Sequence, residues 1–223
     1  MSEALDIPAG YSGTYQPAGT RAKAAIGVLG LDALIAGVTL VHLLTGHDLM
    51  NRAEAGLMSE AEAIGFDQLS LTLGIASIVG VIITAIVFIA WQMRSVENVP
   101  ALNGGVPKIS PGWALVWWFI PIANLFKPYQ SISELGARME TATRKGGNWL
   151  VIVWWLAWVF AGIVGSFVSR LPEPDSIPGV RSWLNVNAFA EVFTIAAAIL
   201  AILVVRQIQA RADERAAAAG SGS

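Results

Sequence analysis

SPGWALVWWFIPIANLFKPYQ, residues 110–130, is the stretch on which the reading of the fold turns. From Gly112 to Phe126 it is apolar apart from Asn124. A helix of that length rises roughly 22 Å at 1.5 Å per residue, short of the roughly 30 Å of a bilayer core. Ser110 and Pro111 have the chemistry of an N-cap followed by a first helical residue. Pro121 has no N–H to donate, and its ring collides with the carbonyl of Trp117, so a continuous helix fails there. Pro128 repeats the interruption. The stretch predicts a half-helix that enters a membrane, breaks between Pro121 and Asn124, and returns to the same side. The rival is a kinked fifth helix running from 112 to about 143.

The remainder of the chain supplies the membrane. It is 55% hydrophobic and 13% charged, with mean hydropathy +0.59. Soluble domains carry about 25% charged residues, so composition points to an integral membrane protein. There is no cysteine, which excludes disulfides, thiol catalysis and thiolate metal sites. Residues 1–20 have neither a basic n-region nor an apolar h-region. They are expected to be a disordered tail and not a signal peptide.

Apolar spans are predicted at 24–45, 69–91, 149–169 and 186–205, within one transmembrane domain covering 21–209. Residues 210–223 are expected to be a flexible C-terminal tail. Between the first two spans lies an acidic loop, where Ser59 and Glu62 have capping-box spacing. Residues 129–145 have helical periodicity, with Tyr129, Ile132, Leu135 and Met139 on one face. Glu134–Arg138 and Glu140–Arg144 are i,i+4 pairs with the acid first, and Gly146–Gly147 should end that helix. The predicted fold class is all-α integral membrane: four transmembrane helices, a proline-broken re-entrant (or kinked fifth) helix, and a cytoplasmic surface helix.

Charge separates the two topologies. If residues 112–127 re-enter, then Arg21, Lys23, Arg94, Lys108, Lys127, Arg138, Arg144, Lys145, Arg206, Arg211 and Arg215 share one side. Arg52, Arg170 and Arg181 occupy the other. If the stretch spans, this asymmetry disappears. The positive-inside rule therefore favours re-entry and both termini in the cytoplasm.

The same residues carry a resemblance. With Trp91, Arg94 and Asn98 upstream, the motif from Pro111, Trp113, Trp117, Trp118 and Pro121 to Pro128, Tyr129 and Gln130 resembles a bacterial membrane family known as domain of unknown function 4328. The resemblance covers roughly residues 70–205. It implies a multi-span protein and brings no established activity. Members often have an aromatic residue where this chain has Leu135–Gly136.

Three polar residues stand out as candidate intramembrane sites. Asp32 lies near the middle of the first span, where an acid is costly and is a functional candidate by default. Glu191 lies near the start of the last span. Asn124 sits at the proposed break. Against these readings stand bland ones: a protonated, hydrogen-bonded Asp32, a snorkelling Glu191, and an Asn124 that satisfies carbonyls freed by the prolines. Tryptophans at these spacings are expected to pack or to anchor at the interface, and Trp91 is expected to anchor. His42 and His47 are too few for a metal site, and no cofactor or catalytic residue is implied. The expected partners are the lipid bilayer and other membrane proteins or further copies of the chain, not nucleic acid. The leading function is non-enzymatic membrane organisation or partner and lipid binding. The alternative is a small transporter or channel using Asp32, Glu191 and Asn124.

Overall fold

The computed structural model describes residue 11 and residues 14–220, apart from 147, 171 and 173. It is 80% helical, with no strand among the described residues. The helices are α1 (Gly19–Glu54), α2 (Glu60–Glu97), α3 (Pro111–Val116), α4 (Pro121–Asn124), α5 (Lys127–Arg138), α6 (Trp149–Val168) and α7 (Ile177–Gly220). Four of them, α1, α2, α6 and α7, are long and apolar enough to cross a membrane.

The helices outrun the predicted spans. α1 continues past Thr45 because Gly46 lets it pack closely: a Cβ there would meet Leu184 and Phe66 at 2.9 Å. The chain needs only residues 55–59 to turn into α2, whose start is fixed by a reciprocal capping box. The Ser59 backbone N–H donates to Glu62 Oε2 at 2.9 Å, and the Glu62 N–H donates to Ser59 Oγ at 3.3 Å. Arg52 adds a forked contact to the same carboxylate. At the other end, the tail expected at 210–223 is helical through Gly220. Arg211 within it is only 2% exposed. Residues 221–223, residues 1–10, 12 and 13 of the expected N-terminal tail, and Gly147 of the expected helix stop lie outside the described residues.

The chain divides into two compact units. One comprises Met1–Gly27, Ala85–Trp155 and Leu200–Ser223, and holds the whole of the 110–130 stretch. Its core is built on Trp91, Val96, Ile132, Leu135, Met139 and Ile208, each at most 2% exposed. The second comprises Val28–Thr84 and Leu156–Ile199. Its side chains are more open: Leu34, Leu71, Ile78, Leu156 and Ile163 are all over 60% exposed, as expected of helix faces that meet lipid rather than water.

Candidate site at the tryptophan stretch

The stretch is cut into short helices, and each cut is made by a proline that starts a helix rather than one that kinks it. Ser110 is extended (ψ 159°) and its hydroxyl accepts from the Trp113 N–H, with Pro111 next. After Val116 the chain tightens, the Trp118 and Phe119 N–H groups donating three residues back to Leu115 and Val116 at 3.2 and 3.1 Å. Ile120 is extended (φ −91°, ψ 113°), as a residue before proline prefers. Pro121 then opens the single turn of α4. The N–H groups of Asn124, Leu125 and Phe126 donate to Ile120, Ile122 and Ala123. The turns therefore do not strand these backbone donors, the condition for non-helical chain in an apolar medium.

The inner side is held by tryptophan N–H groups. Trp118 Nε1 donates to Gln92 Oε1 at 2.9 Å, and Gln92 Nε2 passes the chain on to Ser131 Oγ at 3.0 Å. Gln92 is fully buried. Trp155 Nε1 donates to the Leu125 carbonyl at 3.3 Å. Phe88 lies among Trp91, Trp118 and Trp154, with ring centroids 5.4–6.0 Å away. Such pairs contribute about 0.5–1.5 kcal/mol each beyond area burial. Entry and exit of the stretch are tied through Glu134, which accepts from the Lys108 N–H at 2.9 Å and from Arg138 Nε at 2.8 Å. Arg138 also donates to the Gly104 carbonyl.

The outer side is apolar and uncovered. Phe119 is 72% exposed, Ile122 78% and Phe126 57%. Trp113 stacks on Trp117 at 4.7 Å, and Lys127 Nζ lies 5.5 Å from the centre of the Trp117 ring, within cation–π range. Lys127 Nζ also donates to Gln130 Oε1 at 3.2 Å.

The other sequence-predicted residues are distributed as follows. Trp91, expected to be an interface anchor, is fully buried, and its Nε1 donates to Gln209 Oε1 at 3.3 Å. Arg94 pairs with Glu97 at 3.5 Å. Asn98 holds the N-terminal segment through both ends of its amide: Gln16 N–H donates to Oδ1 at 3.1 Å, and Nδ2 donates to the Gln16 carbonyl at 2.7 Å. No hydrogen bond or ion pair among the described residues joins either of them to residues 121–130, and Arg94 Nη1 is buried without a hydrogen-bond partner. Pro111 and Pro128 are buried, and Tyr129 lies 6.3 Å from the Trp155 ring. Asn124 Oδ1 is buried with no hydrogen-bond partner. Asp32 lies in the second unit with its carboxyl against Gly80, where a Cβ would force that carboxyl aside, and facing Thr84. Thr84 Oγ1 is buried without a hydrogen-bond partner. Glu191 belongs to the same unit, and no hydrogen bond or ion pair among the described residues joins it to Asp32. The Glu140–Arg144 pair does not form, because α5 ends at Arg138; Arg144 meets Glu214 at 3.2 Å instead.

Several structural residues escaped the sequence reading. Arg211 donates to the carbonyls of Gly136 and Gly146 at 3.0 and 2.9 Å, and Arg215 to those of Leu102 and Glu140. The carbonyls of Gly136, Glu140 and Gly146 lie at and beyond the α5 C-terminus, where a cation is favoured, and that of Leu102 ends the short turn Pro100–Leu102. A Cβ at Gly136 would already meet Asn148 Oδ1 at 3.2 Å, so a large side chain there would obstruct the arginine. The only hint in the sequence was the i,i+4 spacing of two arginines among alanines. At the N-terminal segment, Tyr11 donates to the Pro107 carbonyl at 3.2 Å. Burial pushes its phenol above the ordinary value; Glu134 adds to the shift and Arg138 opposes it.

Four long apolar helices and a broken, tryptophan-rich segment with one bonded and one bare face define a polytopic α-helical membrane protein. The chain belongs to the family described as domain of unknown function (DUF4328), whose model matches residues 54–210. No curated protein and no solved structure matches the chain.

Proposed function

We propose that this is a non-enzymatic protein of the bacterial cytoplasmic membrane, with both termini cytoplasmic, that binds and organises lipid through residues 112–127. In this reading the stretch is a re-entrant wedge in the cytoplasmic leaflet. The observation that carries it is the two-sidedness of the stretch: Trp118 and the Leu125 carbonyl are bonded inward, while Phe119, Ile122 and Phe126 are bare. Bare aromatic and aliphatic tips beside a lysine and a tryptophan pair match the chemistry of an acyl-chain and headgroup boundary. The tie of Lys108 to Glu134 supports re-entry, since it holds the two flanks of the stretch together.

Transport through Asp32, Asn124 and Glu191 is supported less. Asn124 belongs to one unit and the two acids to the other, and no described hydrogen bond links the acids.

The test uses the absence of native cysteine. Single cysteines at positions 108, 127, 145 and 60 are treated in intact cells with an impermeant thiol reagent. Labelling at 60 alone is expected. Labelling at 127 and 145 but not 108 would show a fifth crossing and end the wedge reading. For lipid, Phe119→Ser/Ile122→Ser should reduce phospholipid retained on purification; unchanged retention would remove the binding claim.

A further inference from the structure

The second unit holds a cavity of about 340 Å³ near the α1–α2 turn, outside the tryptophan stretch. Met50, Met58, Phe66, Trp183 and Leu184 give it apolar and aromatic walls, and Asp67 supplies the one carboxylate among the described residues that line it. The volume falls in the range of small-molecule sites, which are mostly apolar with few polar groups. No lysine or arginine is among the residues that line it. Ser70 also borders it, with its Oγ 2.8 Å from His42 Nε2.

Charge decides what such a cavity would take. Asp67 has no ion pair or hydrogen bond among the described residues. The nearby arginines are engaged elsewhere, Arg52 by Glu62 and Arg181 by Glu54 at 2.8 Å and Asn51 at 2.9 Å. With Glu54 and Glu62 paired to those arginines, Asp48 and Glu60 together with Asp67 still leave the surrounding segment net negative, so it repels anions and gathers cations. Aromatic walls favour a cation that sheds its water easily, such as a quaternary or substituted ammonium. Methionine side chains adapt to an irregular apolar substituent.

We propose that this cavity is a binding site for a small hydrophobic organic monocation, its charge against Asp67 and its apolar part against Phe66 and Trp183. The site is independent of the lipid reading above. The probe is benzyltrimethylammonium, titrated into the full chain in phosphatidylcholine nanodiscs and followed by equilibrium dialysis. Saturable binding is expected, weakened about threefold or more by Asp67→Asn, which removes the coulombic attraction of the carboxylate for the ammonium. Benzylsulfonate, an anion of like size, should not bind. In a Met58→Cys variant the ammonium should slow thiol labelling, a readout that leaves Asp67 in place. Absence of saturable binding, equal affinity in Asp67→Asn, binding of benzylsulfonate, or unprotected labelling at position 58 would each overturn the proposal.

Discussion

In the unit that holds the tryptophan stretch, polar side chains reach across the sequence. Trp118 bonds Gln92, Gln92 bonds Ser131, Trp91 bonds Gln209, and Arg211 bonds Gly136 and Gly146. In the second unit, several polar side chains bond only to their own helix. Thr39 donates to the Ile35 carbonyl, Thr72 to Gln68, Asn187 to Trp183 and Thr194 to Ala190, each four residues back. The difference follows from solvent. A hydroxyl facing lipid can be satisfied locally by its own helix. Chain breaks and a helix end cannot, so they need partners from other elements. The first unit is thus held by directional bonds across its length, while in the second such bonds gather near the α1–α2 turn, at Arg52–Glu62, Arg181–Glu54 and His42–Ser70, and the rest is apolar surface that a bilayer would cover.

The largest expected effect is at Arg211. Arg211→Met leaves two carbonyls without their donor, and an unsatisfied buried group costs about 1–3 kcal/mol. A loss of about 3 kcal/mol is expected in thermal unfolding in micelles, with faster amide exchange at 133–146. Arg211→Lys should recover only part of it, since an ammonium lacks the fork that serves both carbonyls. The exposed Arg206 of the same unit is the control: if Arg206→Met costs as much, the bonds to the Gly136 and Gly146 carbonyls are not the cause of the loss.

Next comes Gln92. Gln92→Leu strands the Trp118 N–H and should cost about 2 kcal/mol, with faster exchange at Trp118 and Phe119. Thr84→Val in the second unit sharpens the comparison. The Thr84 hydroxyl faces the Asp32 carboxyl but makes no well-formed hydrogen bond with it, so its loss should cost less than about 1 kcal/mol. A larger cost would mean that the Asp32–Thr84 contact closes into a full hydrogen bond in the bilayer.

These residues also mark where sequence reading ran out. Caps and breaks were legible because their causes are local: Ser110–Pro111, Ser59–Glu62 and Pro121 act within one turn. The Glu134–Arg138 pair was legible for the same reason. Gln92 was not, since a glutamine in an apolar run looks alike whether or not Ser131 lies opposite. Arg211 and Arg215 were read only as charge for topology, because their acceptors are backbone carbonyls that no residue type announces. Helix lengths were underestimated where a tertiary contact, such as Gly46 against Leu184, carries a helix past its apolar run.

A smaller effect is expected at Ser59. Ser59→Ala removes an N-cap hydroxyl, a loss of about 1 kcal/mol, felt only at the first turn of α2. Ser59→Asp should restore most of the cap, if the added charge beside Glu62 is offset by Arg52. Local amide exchange at 60–63 reads both. A global loss of stability in Ser59→Ala would show that the second unit depends on polar bonds more than the comparison allows.

The smallest effect is at Tyr11, and it depends on pH. The phenol donates to the Pro107 carbonyl, a bond that only the protonated form can make. Burial is the main cause of its raised pKa, with Glu134 adding to it. A group whose folded value lies above its ordinary 10.0 adds stability that is fully present below pH 10.0 and disappears as pH rises through the folded value. The N-terminal segment should therefore remain docked on Asn98 at pH 9 and loosen only above 10. With ¹³Cζ-labelled tyrosine in a Tyr15→Phe background, where the signal absent from Tyr11→Phe distinguishes Tyr11 from Tyr129, Tyr11 should titrate above 10.0, and the Gln16 resonances should move in step with it. In Tyr11→Phe, Gln16 should be shifted already at neutral pH and show no step. If Tyr11 titrates at or below 10.0, or Gln16 ignores it, then Asn98 alone docks the segment. The first unit would then have one fewer of the long-range bonds that set it apart.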